Sequence, residues 1–213
     1  YEEMTMDDYS AGEISTEEAS LLIKDLATRF NTEALTFYSG VSYRHLLVWQ
    51  NGPLQVELTP PHDISGRVIG PYLPKGEKAG QLLALMKESQ KILADHPVNK
   101  KRSAGNLPPA NSVWFWGQGT KPRLANFYEK YPVRKGAVIS AVDLAKGLGV
   151  CAGLHVIEVP GATGNIHTNF AGKAEAALAA FRSGYDFIFL HIEAADEAGH
   201  QGEIDTKIKA IEK

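Results

Sequence analysis

In the second half of the chain, three short apolar runs at residues 137–140, 155–159 and 187–192 alternate with helical patterns at residues 142–148, 171–182 and 205–213. Alternation of this kind demands a parallel sheet, because each new strand is reached through a helical crossover. The run Phe187-Ile-Phe-Leu190 is apolar throughout, the pattern of a buried parallel strand. It then breaks into a polar turn carrying Asp196, Glu197 and His200. Open α/β sheets present their ligand-binding groups just beyond the carboxyl ends of the strands. A four-residue spacing puts Asp196 and His200 on one side of a helical turn, and a carboxylate with an imidazole suits a divalent metal. The same spacing also occurs on ordinary helix surfaces. A metal would want one or two more ligands, with Asp186, Glu193, His191 and His167 the candidates in this half.

The first half reads as α+β. Ser15-Thr-Glu-Glu18 is a capping box opening an amphipathic helix through Leu21, Leu22, Leu26 and Phe30. Strands are expected at residues 35–38 and 42–49. Asn51-Gly-Pro53 then signals a turn, and residues 54–58 are expected as the returning strand of a meander. A proline-bounded loop, Thr59-Pro-Pro-His-Asp63, leaves the sheet, and a second helix is expected over residues 77–94 with a broad leucine-rich stripe. Residues 99–109 are polar, and Ser112-Val-Trp-Phe-Trp116 reads as another strand whose aromatics are chiefly core. The glycines of Gly117-Gln-Gly119 and the break at Lys121-Pro122 place a boundary here. The expected division is therefore residues 1–118 and 119–213.

Composition narrows the function. The net charge is −3, with no basic run longer than Asn99-Lys-Lys-Arg102, which argues against a nucleic-acid partner. No apolar run approaches the roughly 20 residues of a bilayer span, so no membrane partner is expected. The single cysteine, Cys151, rules out a disulfide framework and points to a reducing compartment, the cytoplasm. An anionic ligand must be met by individual cations. Arg44, in a strand, and Lys100, Lys101 and Arg102 could form such a cradle, since the guanidinium fork grips two oxygens at once. His62 and Asp63 lie on the loop stiffened by Pro60 and Pro61; they are either binding groups or a solvated turn. Gly161-Ala-Thr-Gly164 lacks the Lys and Ser/Thr of a nucleotide-binding loop. No Gly-x-Ser-x-Gly elbow is present, which disfavours that type of hydrolase.

Several blocks taken in order carry a resemblance over nearly the whole chain. They are Tyr38-Ser-Gly-Val-Ser-Tyr-Arg-His-Leu-Leu-Val48, Thr59-Pro-Pro-His-Asp-Ile64, Trp116-Gly-Gln-Gly119, Ile139-Ser-Ala-Val-Asp-Leu144, Val159-Pro-Gly-Ala-Thr-Gly164 and His191-Ile-Glu-Ala-Ala-Asp-Glu-Ala-Gly-His200. Together they resemble the archaeal-type, cofactor-independent phosphoglycerate mutases of the alkaline phosphatase superfamily. The resemblance implies a partial phosphatase-like α/β core following an inserted, substrate-facing α+β domain. It also implies interconversion of 2-phosphoglycerate and 3-phosphoglycerate through a phosphoserine, with two divalent metal ions, Mn²⁺ or Zn²⁺. On that reading Asp196 and His200 match two ligands of one metal. Arg44, His62 and Asp63 match a substrate-facing region, joined by Arg102, and Lys135 is similar in position to a lysine that meets the substrate.

The family's serine nucleophile and first metal ligand would precede Tyr1, and its remaining ligands would follow Lys213. The expectation is therefore an internal fragment, inactive alone and without a tightly bound metal, whose exposed sheet edges favour self-association. Two other readings stay open: a stand-alone phosphoglycerate-binding module, and a related metal-dependent phosphotransferase or phosphohydrolase.

Overall fold

The computed structural model describes residues 1–213, the side chain of His200 excepted. The chain forms two compact units, Tyr1–Thr120 and Lys121–Lys213. No helix is long and apolar enough to cross a membrane.

In the first unit, Ser15 caps α1 (Thr16–Phe30), its hydroxyl accepting the Glu18 N–H. Only half of the expected capping box forms, because the Glu18 carboxylate turns to Arg102. Leu22, Ile23 and Leu26 of α1 are buried against Leu35 and Phe37 of β1 (Leu35–Tyr38). Each such side chain contributes about 1.5–3 kcal/mol by leaving water. Strand β1 pairs antiparallel with β2 (Leu46–Trp49).

The expected meander stops there. Instead of returning onto β2, β3 (Val56–Glu57) pairs with β4 (Lys75–Gly76). A reversal does form at residues 49–52, Gly52 N–H donating to Trp49 O, but Pro53 has no N–H with which to continue a ladder. Residues 39–45 are likewise a loop and not the first half of a strand.

Helices α2 (Ala79–Ala94) and α3 (Pro97–Ala104) follow. Helix α3 lies in the stretch expected to be irregular: His96 caps it, accepting the Val98 N–H on Nδ1, and Pro97 occupies its first turn. Residues 112–116 form no strand. Side chains replace the ladder: Ser89 Oγ accepts Val113 N–H at 3.0 Å, and Trp114 Nε1 donates to Thr59 O at 2.8 Å. Phe115 packs against both core clusters of the unit, while Trp116 stays exposed.

The second unit begins with α4 (Phe127–Lys130) and carries a three-stranded parallel sheet of order β6-β5-β7. Its strands are β5 (Gly136–Ile139), β6 (His155–Val156) and β7 (Phe187–Leu190). Central β5 is fully buried, Ala137 and Val138 having no exposed surface. Helix α5 (Asp143–Cys151) packs on β5 and β6, and α6 (Phe170–Arg182) on β5 and β7. Helices α7 (Ala194–His200) and α8 (Ile204–Glu212) then pack together. The parallel sheet anticipated from the alternation is present.

Candidate substrate-facing and active-site elements

In the first unit, the loop of residues 39–45, the N-terminal segment and the proline-bounded loop meet in a run of aromatic contacts. The Arg44 guanidinium lies 5.0 Å from the centroid of the Tyr43 ring. Tyr43 meets Tyr9 edge-on at 5.5 Å, Tyr9 meets His62 at 6.0 Å, and His62 meets Trp116 at 5.3 Å. His62 sits in the single turn Pro61–Ile64, whose Pro61 and Ile64 are buried and hold the exposed His62 and Asp63 outward. His62 Nε2 lies 3.8 Å from Asp63 Oδ1.

Three of the residues anticipated from sequence, Arg44, His62 and Asp63, therefore share one surface. The aromatics joining them were not anticipated in that role. Such a surface offers a stacked guanidinium and an imidazole to an anion, the kind of group that planar Arg recognises with two hydrogen bonds.

Arg102 is placed otherwise. Its side chain is 3% exposed and turned inward. Nη1 donates to Glu18, Nη2 to Ala11 O and Nε to Pro108 O at 2.9 Å. The guanidinium ties α1, α3 and two loops together, and its donors are engaged within the protein.

In the second unit, polar groups gather at the carboxyl end of the sheet. Ser140, just past β5, is buried; its Oγ lies 3.1 Å from His191 Nδ1 and accepts Val142 N–H at 2.9 Å. The Lys173 ammonium, reaching from the first turn of α6, donates to His191 O at 3.1 Å. Burial lowers the Lys173 pKa, and the Glu193 carboxylate opposes the shift. Glu193 also crowds Gly164, where a Cβ would sit 2.9 Å from Oε2. Asp196 lies in the first turn of α7, its N–H donating to Glu193 O. The side chain of His200, its anticipated partner, lies outside the described residues. Among the described residues, no three His, Cys, Asp or Glu side chains are grouped to hold a metal.

Lys135 and Asp186 stand at the opposite, amino end of the sheet. Lys135 Nζ lies 4.1 Å from the Tyr185 ring centroid. Asp186 accepts the Arg134 and Lys135 backbone N–H groups, which hold its carboxyl below the ordinary value.

Lys173, Ser140 and His191 had not been linked to one another from sequence. One signal was available for Lys173: with Ala177 and Ala180 it falls on the buried stripe of α6, where a charge is out of place.

A family model described as 2,3-bisphosphoglycerate-independent phosphoglycerate mutase matches residues 1–99. A probable mutase of that description from Geobacter sulfurreducens is 53% identical over 98% of this chain and 52% of its own length. One from Methanosarcina barkeri is 52% identical over 96% of this chain and 51% of its own length. The solved structure of a Pyrococcus horikoshii protein superposes with a TM-score of 0.67 at 28% identity, covering 97% of this chain and 49% of that one. The chain thus spans about half the length of the curated relatives it matches, and it belongs to the family of 2,3-bisphosphoglycerate-independent phosphoglycerate mutases.

Proposed function

We propose that this chain supplies a substrate-facing unit and part of the α/β core to an isomerase that interconverts 2-phosphoglycerate and 3-phosphoglycerate, a glycolytic reaction of the cytoplasm. The observation that carries the reading is the single surface formed by Arg44, Tyr43, Tyr9 and His62. All four lie within the family-matched residues. On this reading Arg44 and His62 face the anionic groups of phosphoglycerate and Asp63 orients His62, whereas Lys135, at the amino end of the sheet away from Ser140 and His191, takes no substrate role. Arg102 serves the fold of the same unit.

The division into an inserted domain followed by an alkaline-phosphatase-like core is part of the proposal. So is phosphoryl transfer through a serine supplied by the rest of the whole protein. Asp196 and His200 are proposed as two ligands of one of two divalent ions, Mn²⁺ or Zn²⁺, an oxygen and a nitrogen donor that suit either metal. A catalytic metal needs about three protein donors, and the described residues do not group three. Asp196 and His200 would supply two of these donors, and further ones would complete the site.

The test is an assay of a protein of the relatives' full length that contains this chain, with Mn²⁺ or Zn²⁺ supplied and 3-phosphoglycerate as substrate. Formation of 2-phosphoglycerate is expected. Release of inorganic phosphate without isomerisation would replace this reading with a phosphohydrolase.

A further inference from the structure

We infer that His45 is a positioning residue for Arg44, locking the loop that carries it through an unprotonated ring nitrogen. The inference rests on the proposed mutase reading, since Arg44 is taken to face phosphoglycerate.

The loop of residues 39–45 is pinned at several points. Gly40 N–H donates to His45 Nδ1 at 3.1 Å, closing the loop on itself. Arg44 O packs so close to Gly40 that a Cβ there would lie 2.4 Å away, so only glycine fits. Ser42 adopts a left-handed φ of 53°, a conformation costly for serine. It is held by its Oγ donating to Ile14 O at 2.6 Å and its N–H donating to Thr16 Oγ1 at 3.0 Å. Arg44 N–H donates to Val41 O at 3.1 Å. The backbone on both sides of Arg44 is thereby fixed, and its guanidinium rests over Tyr43.

Within this arrangement Nδ1 must accept, which puts the ring proton on Nε2. A second proton would turn Nδ1 into a donor facing the Gly40 N–H. Burial works against that second proton, holding the His45 pKa down at about 4.

The experiment compares His45→Asn with His45→Phe in the full-length protein. The asparagine Oδ1 falls where Nδ1 was and retains an acceptor; phenylalanine keeps the bulk and removes it. The KM for 3-phosphoglycerate should rise about tenfold in His45→Phe with kcat changed less than about threefold, whereas His45→Asn stays within about threefold of wild type in both. Should His45→Phe not fold, His45→Gln takes its place, because its longer amide misplaces the acceptor. Nitrogen-15 spectra of the wild type should show an Nε2–H imidazole at pH 7. A wild-type KM in the acceptor-less variant, equal KM values in all variants, or an Nδ1–H tautomer would overturn the assignment. Absence of turnover in the wild type would instead reject the mutase reading, while the ring tautomer would still report the Gly40–His45 lock.

Discussion

The ammonium of Lys173 donates to the backbone carbonyl of His191 across 3.1 Å, from a side chain only 1% exposed. A lysine is almost never fully buried unless something holds it. Here it links the first turn of α6 to the end of β7, where His191 also meets Ser140. Lys173→Met keeps the bulk and removes the charge-assisted bond, leaving the His191 carbonyl without that donor. The urea midpoint should fall by the equivalent of about 1–3 kcal/mol. The sign of the pH dependence follows from the lowered pKa: unfolded, Lys173 keeps its proton up to about 10.5, whereas folded it gives it up earlier. Wild-type stability should therefore rise relative to Lys173→Met as pH climbs toward 10.5. A midpoint unaffected by the substitution would show that the bond contributes nothing.

Asp186 gives the opposite end of the sheet a dependence on acid. Its carboxylate accepts N–H groups from Arg134 and Lys135, which lower its pKa below the ordinary 3.8. A depressed carboxyl contributes stability that is present above the unfolded value and is lost as pH falls through the folded one. The urea midpoint of wild type should thus exceed that of Asp186→Asn at pH 6, and the gap should close as pH drops below 3.8. A gap independent of pH would assign the difference to neutral hydrogen bonding.

Arg102 separates a substrate role from a structural one. Its donors reach Glu18, Ala11 O and Pro108 O, a forked arrangement that one ammonium cannot reproduce. Arg102→Lys should lower the stability of the first unit by about 2–4 kcal/mol, with the KM for phosphoglycerate unchanged in the folded population. A raised KM at wild-type stability would return Arg102 to the substrate surface.

What could be read from the chain depended on how local its cause was. The central strand was legible because Ala137, Val138 and Ile139 are apolar in succession, as burial on both faces requires. Helix α3 was overlooked because Asn99, Lys100, Lys101 and Arg102 look like a solvated stretch. Its start was written all the same, in His96 as cap and Pro97 in the first turn. Residues 112–116 had a strand's composition but found side-chain partners in place of a strand. The contact of His62 with both Tyr9 and Trp116 had no local signature at all, since only folding brings those three rings together. Arg44 and His62 could be nominated individually, but their common surface could not.

Gly149 of α5 tests how tightly the second unit is packed. Alanine is ordinarily the better helix former, by roughly 1 kcal/mol. At this position, however, the new Cβ would lie 2.6 Å from Val138 Cγ1 and 3.2 Å from Val138 Cβ. Val138 is wholly buried in the central strand and has no space into which to retreat. Overpacking of this kind costs about 1–3 kcal/mol, which exceeds the propensity gain, so Gly149→Ala should be net destabilising. Val138→Ala would open the space the new methyl needs. In the double variant, Gly149→Ala should then recover its helix-forming advantage and become neutral or stabilising relative to Val138→Ala alone. A double-mutant cycle measured by urea denaturation reads that coupling directly, and strict additivity would mean that α5 can shift away from β5 without loss.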